Sequence, residues 1–270
     1  IVVVDNGSAC ELLSALGVIR QHSDITLIAN AANTGIAAAQ NQGVAYARAR
    51  GCSHVIFFDQ DSVPSPGLVS GLLDAAASAP GRSVDEDVVV GPCISDDRLG
   101  VRMPFVRFGM LGVKRYRCAE GSQAVVPADF LIASGVLIPL RVFDKVGLMD
   151  ESLFIDNVDL EWCFRARSRG VRLFGVCGVR MAHSLGDRAF RVGDHVIHYH
   201  GPVRQYYMMR NRVLLYRREY TPKGWIVQDL IRVLVKFALF SLVFAPRCRN
   251  VAMMLRGAWH SLRGVTGPFR

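Results

Sequence analysis

The sequence lacks any Cys-x-x-Cys pair and any cysteine–histidine spacing of the zinc-binding kind, which sets aside structural zinc modules and dithiol redox enzymes. Its seven cysteines (Cys10, Cys52, Cys93, Cys118, Cys163, Cys177 and Cys248) are odd in number and scattered. They are expected to be isolated thiols in a reducing compartment. No Gly-rich loop bearing Lys or Arg follows the first apolar strand, so the usual phosphate cradle of a nucleotide-binding enzyme is missing from that place. Internal repeats and low-complexity linkers are also missing. The most apolar stretch, Trp225 to Ala245, is broken by Asp229, Arg232 and Lys236, and a spanning helix needs about 20 residues free of such charges.

The 270 residues are 51% hydrophobic and 20% charged, the composition of a globular protein with a substantial core. The net charge of +9 is unevenly placed. Pro202 to Arg270 holds thirteen Lys or Arg against two Asp or Glu, so a near-neutral body carries a basic C-terminal segment. Such segments seek phosphates, in nucleic acid or on an anionic membrane. The cations here are interleaved with Leu230, Val233, Leu234 and Phe237 rather than with stacking aromatics, which speaks against nucleic acid. Asp229, Arg232 and Lys236 share one helical face, so an amphipathic helix lying on a membrane surface is expected, with a core-packing helix as the alternative.

Ile1-Val-Val-Val4 and Ile25–Ala29 read as strands, and Leu12–Arg20 and Ile36–Arg50 as helices. His54–Phe58 is a fully apolar strand that ends at Asp59. Pro64–Ala79 reads as a helix and Val88–Val90 as a strand, while Asp96–Gln123 is polar and irregular. Asp129–Leu140 is an apolar strand interrupted at Ser134-Gly135, Val158–Gly170 a helix and Val171–Val176 a late strand. Alternating strands and helices with continuous apolar strand interiors imply an α/β fold, its mainly parallel sheet covered on both faces. Ligands of such sheets sit beyond the C-terminal strand ends, where Asp5 and Asp59 fall.

Asp59 and Asp61 are two apart, and in extended chain i and i+2 project to the same side. Two carboxylates aimed together repel unless a cation lies between them, and hard oxygen ligands suit Mg²⁺ or Mn²⁺. The same pair would otherwise be a solvated turn. Asp156 and Asp159 sit three apart at a helix start, where one could serve as a general base or both could simply complement the helix dipole. His183 follows the late strand and could complete a metal site, although a lone histidine is more often structural. His195, His198 and His200 match no common zinc spacing and read as a strand or loop on the acceptor side. Asp5 with Asn6 suits a base or ribose anchor equally with a turn former.

In this order the pieces resemble a family 2 glycosyltransferase, and in particular bacterial rhamnosyltransferases of cell-surface polysaccharide synthesis. The matching segments are Val2–Ser8, Asn33–Gly43, Phe57–Ser62, Ala133–Gly135, Phe154–Arg165 and His183–Gly186. The resemblance covers about residues 1 to 220 and implies a GT-A nucleotide-diphospho-sugar transferase fold with a mixed, mainly parallel sheet flanked by helices, leaving 221–270 as a basic, amphipathic, membrane-associated helical tail. It implies Asp5, Asn33, Gly35, Asn41 and Asp59 on the nucleotide sugar, and Asp61 and His183 on the metal, with Asp59 at the ribose or the metal's outer shell. It implies dTDP-L-rhamnose as donor, a glycan or lipid-linked acceptor, and a peripheral place on the inner face of the plasma membrane. Many relatives carry an adjacent Glu-Asp pair whose second acid is the base, and Asn157 occupies that slot here, leaving Asp156 or Asp159. The family's first strand and its Thr-Tyr-Asn-like turn are expected ahead of Ile1. The competing readings are a sugar nucleotidyltransferase and a non-catalytic membrane-surface scaffold.

Overall fold

The computed structural model describes residues 1–8, 22–83, 86–96, 100–110, 112–183, 188–192 and 195–269. The helix expected over Leu12–Arg20 lies outside them. Strands β1 (Val2–Asp5) and β2 (Thr26–Ala29) pair in parallel, and helix α1 (Ile36–Ala49) packs on β1. The alanine-rich face of α1 buries Ala37, Val44 and Ala47, small side chains that let the helix lie close to its neighbours.

The main sheet is built from β3 (His54–Ile56), β4 (Ser62–Pro64), β5 (Val88–Asp96), β6 (Val101–Arg102), β9 (Val125–Ala128), β10 (Leu137–Pro139) and β11 (Arg172–His183). Its order is β3-β10-β5-β11-β4, with β6 on β5 and β9 on β11. Within it β5 and β11 run parallel and the other pairings are antiparallel. The sheet is mixed, as expected, but the expected predominance of parallel pairing does not hold in it. The physical reason is that continuous apolar strands report burial on both faces, and antiparallel strands between two helical layers show the same pattern. On β5, Val89 and Cys93 enter one core while Val88, Val90 and Ile94 enter the other, where helix α2 (Leu68–Ala77) lays down Leu68 and Leu72.

Two further expectations change. Asp96–Gln123 holds β6 and a hairpin of β7 (Phe105–Phe108) and β8 (Val113–Tyr116), so its polar sequence conceals pairing. Cys118 and Cys177 form a disulfide across 59 residues of sequence, a juxtaposition no spacing rule reveals, so this pair departs from the expected free thiols. Cys52, Cys93, Cys163 and Cys248 are free.

After α3 (Leu140–Val146) and a 3₁₀ turn at Glu151–Leu153 come α4 (Val158–Ser168) and a hairpin of β12 (Arg188–Val192) and β13 (His195–Tyr199). The chain ends in α5 (Pro202–Tyr216), α6 (Lys223–Leu242) and α7 (Arg247–Leu262). These last helices pack onto the rest. Trp225 is buried edge-on against Phe164 of α4, at 5.3 Å between ring centroids, and α7 lies along α5. At that crossing Gly257 leaves no room for a Cβ against the Tyr206 carbonyl. Among the described residues no helix is long and apolar enough to cross a membrane.

Candidate active site

Beyond β3 the chain does not stay extended. Phe57 makes one bridge to Ser134, and then Ser62 N–H donates to the Asp59 carbonyl (3.0 Å), closing a tight turn. This turn, rather than the i, i+2 rule of a strand, brings Asp59 and Asp61 together. Opposite it, β11 pairs with β4 in a register that places His183 directly across from Ser62. The buried imidazole then lies between the two acids, with Nδ1 3.2 Å from Asp61 Oδ1 and Nε2 3.7 Å from Asp59 Oδ2. Potential ligand atoms of Asp59, Asp61 and His183 all lie within 4.8 Å of one another.

Ser134, fully buried, is the support under this group. Its hydroxyl accepts from Asp59 N–H (3.0 Å) and meets the Ser62 hydroxyl (2.7 Å), which in turn meets His183 Nδ1 (2.9 Å). Nothing in the sequence marks Ser62 and Ser134 for this role, because hydroxyls carry no spacing signal. Burial pushes the Asp59 carboxyl above its ordinary range, with His183 opposing and Asp61 adding to the shift. Two carboxylates and one imidazole, with no Lys or Arg salt bridge to either carboxylate among the described residues, form a donor set that could hold a divalent metal ion.

The second acidic cluster is differently built. Asp156 is held by Arg204, whose Nη2 lies 2.7 Å from one carboxylate oxygen and whose Nε lies 3.3 Å from the other. Glu161 is buried and takes Nε and Nη2 of Arg165 at 2.8 Å each, with the Tyr220 hydroxyl also donating to it. Asp159, in the first turn of α4, makes no ion pair among the described residues. Loss of solvation pushes its carboxyl up to about 6, with Asp59 and Asp156 adding and the N–H groups of Leu160 and Ala133 opposing. Arg204, which also acts electrostatically on Asp59, links the two acidic groups, and nothing in its sequence setting set it apart from the other C-terminal cations.

At the end of β1, Asn6 ties the strand to the turn before α1. Its Oδ1 accepts from Thr34 N–H (2.9 Å) and its Nδ2 donates to the Gly35 carbonyl (3.1 Å) and to Asn33 Oδ1 (3.2 Å). Asn33 Oδ1 also accepts from Gly35 N–H (2.9 Å). Gly35 has φ +90° and no space for a Cβ against Phe154, so glycine is required there. Asp5, buried, accepts from Ser8 N–H (3.2 Å) as a turn former does. Asn41 stands apart from the others. Its buried amide is spent on Met149 N–H, the Met149 carbonyl and Glu151 Oε1 (2.8–3.0 Å), pinning α1 to the loop before α4.

The fold and site define the class. A mixed sheet between helical layers, with an Asp-Asp-His group at its strand ends, is the GT-A architecture of nucleotide-sugar transferases. It matches a crystal structure of GalNAc-T7 with UDP, GalNAc and Mn²⁺ at a TM-score of 0.56 and 14% identity, over 98% of this chain and 50% of that one. It also matches S. aureus TarS 1–349 in complex with UDP, at 0.52 and 12%, over 97% of this chain and 82% of that one. The chain thus spans about half the length of the GalNAc-T7 structure, and both likenesses concern the fold alone.

Residues 1–103 match the family model for glycosyl transferase family 2. Over its whole length the chain is 29% identical to the dTDP-rhamnosyl transferase RfbF of Shigella flexneri, covering 88% of that protein. Both likenesses support a family 2 glycosyltransferase resembling rhamnosyltransferases.

Proposed function

We propose that the chain moves L-rhamnose from dTDP-L-rhamnose to a hydroxyl of a lipid-linked or polysaccharide acceptor in cell-surface glycan synthesis, inverting the anomeric carbon. The observation that carries the reading is the pairing of an open Asp59–Asp61–His183 group with an Asp159 that no cation neutralises among the described residues. The choice of donor rests on the likeness to the dTDP-rhamnosyl transferase. Bound among Asp59, Asp61 and His183, Mg²⁺ or Mn²⁺ would supply positive charge to the donor diphosphate.

Asp5, Asn33 and Gly35 are proposed to contact the nucleotide, with Asp59 at the ribose or at the metal. Asn41 serves that side by holding α1 in place. Asp159 is the better general base of the two candidates. Asp156 is already engaged by a guanidinium, whereas the Asp159 carboxyl, poised near 6, both ionises at neutral pH and accepts a proton readily. The acceptor oxygen attacks the anomeric carbon and its proton passes to Asp159. The bond from that carbon to the diphosphate oxygen breaks, the electron pair leaves with dTDP, and Arg204 offers a cation beside the departing charge.

Incubation with dTDP-L-rhamnose, Mn²⁺ and a membrane-extracted acceptor is expected to release dTDP and rhamnosylated product. Release of pyrophosphate would instead identify a nucleotidyltransferase. Absence of any Mn²⁺-dependent thermal stabilisation by dTDP would favour a scaffold.

A peripheral site on the inner face of the plasma membrane fits the last two helices, which are proposed to form the basic tail of 221–270. On α6, Val227, Ile231, Leu234 and Leu242 are exposed along one side, and α7 begins with the exposed Arg247 and Arg249. The double variant Ile231→Ser, Leu234→Ser should lower partition onto anionic vesicles roughly tenfold or more, at about 1.5–3 kcal/mol for each fully buried apolar side chain. Unchanged partition would remove the membrane from the proposal.

A further inference from the structure

Between the 3₁₀ turn and α4 the backbone is held in a costly conformation. Phe154, Asp156 and Asn157 have φ of 64°, 64° and 62°, and none is glycine. An L side chain is disfavoured at such φ, so the surrounding structure must over-determine this segment for it to persist. Asn157 in addition keeps a buried side-chain Nδ2 without a hydrogen-bond partner among the described residues.

The over-determination comes from α5. Asn211, fully buried, places Nδ2 2.9 Å from the Leu153 carbonyl, 2.7 Å from that of Ile155 and 2.8 Å from that of Asp156. Three carbonyls converge on one amide group because the left-handed residues turn them to the same side. Arg210, also fully buried, donates Nη2 to the Leu153 carbonyl (2.8 Å) and Nε to Asn211 Oδ1 (3.0 Å), fixing which way the amide faces. Its Nη1 reaches the Gly267 carbonyl (2.5 Å), so the end of the chain braces the same pair. One helical turn earlier Tyr207 stacks on Phe154 at 5.2 Å, and Arg204 takes the Asp156 carboxylate. Arg204, Tyr207, Arg210 and Asn211 recur at helical spacing, so a single face of α5 grips the whole segment. From the other side, Ile36 N–H donates to the Phe154 carbonyl (2.8 Å), joining the segment to the turn at Gly35.

We propose that Arg210 and Asn211 are positioning residues for sugar transfer: by clamping the carbonyls of Leu153, Ile155 and Asp156 they fix the left-handed segment that sets Asp156 on Arg204 and Asp159 at the start of α4. The proposal rests on the transferase reading above and adds to it residues that touch no substrate. Removing the amide takes its donor from the Ile155 and Asp156 carbonyls, while the Leu153 carbonyl keeps Arg210, and lets the segment relax toward right-handed φ. The acids then leave their places while the Asp59–Asp61–His183 group, held by Ser134, stays put.

The test compares Asn211→Ala and Asn211→Ser with the parent chain, using whichever nucleotide sugar the parent turns over, so it does not depend on rhamnose. For Asn211→Ala we expect kcat to fall on the order of a hundredfold with donor KM within about twofold, in line with loss of a well-placed base. The acid limb of the pH profile should move, and hydrogen exchange should quicken at 154–160 but not at 57–62. Asn211→Ser, able to reach one carbonyl, should fall between the two. A purely structural role would lower the unfolding temperature and leave the pH limb in place. Wild-type kcat with an unmoved limb in a folded variant, or a loss expressed wholly as raised KM, overturns the clamp. Should Asn211→Ala not fold, the Ser variant is judged by the same outcomes. If the parent turns over no nucleotide sugar, the transferase reading fails, and exchange at 154–160 alone decides the clamp.

Discussion

The two acidic groups of this molecule are opposites in how their charge is handled. Asp59 and Asp61 face a histidine and hydroxyls, no Lys or Arg salt bridge to them occurs among the described residues, and each keeps a third or more of its side chain exposed. Asp156 and Glu161 are each met by an arginine inside the fold, and Asp159 between them is met by none among the described residues. Carboxylates already neutralised from within are finished structures. Those left without a counter-charge are placed for something that arrives from outside, a cation at 59 and 61, or a proton at 159.

The largest effect should come from breaking the first group. Asp61→Asn keeps the size of the side chain and removes a charged ligand, so metal-dependent turnover should fall by at least about a thousandfold. Activity assayed across a Mn²⁺ titration would decide it, and near-normal turnover would sink the assignment of this site.

Asp159→Asn comes next, with an expected loss in kcat of about 10²- to 10⁴-fold and unchanged thermal stabilisation by nucleotide and Mn²⁺. In the parent chain transfer should fall as pH drops through about 6, since the base must be ionised to act. The stability effect has the opposite direction. A carboxyl whose folded pKa is raised from 3.8 to about 6 contributes stability below the lower value that is lost as pH rises through the upper one. Asp159→Asn should therefore unfold at a higher temperature than the parent at pH 8 and show no such gain at pH 4. Equal midpoints at both values would mean that Asp159 is not desolvated in solution.

Much of this was readable from residues in a row. The strand end at Asp59, the acid-bearing start of α4 at Val158 and the histidine that closes β11 are local patterns, and they lie within a few residues of the places the sequence assigns them. What was not readable depends on pairing across the chain. Ser134 meets Asp59 across 75 residues, Asn211 meets Asp156 across 55, and Cys118 meets Cys177 across 59. The basic count of the C-terminal segment misled for the same reason. Arg204, Arg210 and Arg212 entered it as free charge, whereas they are held by Asp156, by backbone carbonyls and by Asp229 at 2.6 Å. A net charge summed along a sequence cannot distinguish a cation on the surface from one holding an active-site loop.

Glu161→Gln sharpens the comparison from its quiet side, with the smallest effect on chemistry. Glu161 lies two residues beyond Asp159 on α4, so proximity alone would rank the two as equals. The geometry separates them. Gln at 161 leaves the Arg165 guanidinium, bonded also to the carbonyls of Val146 and Leu148, without its counter-charge in a nearly closed site. The cost should be about 3 kcal/mol of folding stability, the usual penalty of breaking one side of a buried ion pair. Denaturant unfolding would register that loss while kcat per folded molecule stays within about twofold. If instead transfer collapsed at unchanged stability, Glu161 would belong with the acids that await a ligand, and the division between the two groups would have to be redrawn through the middle of α4.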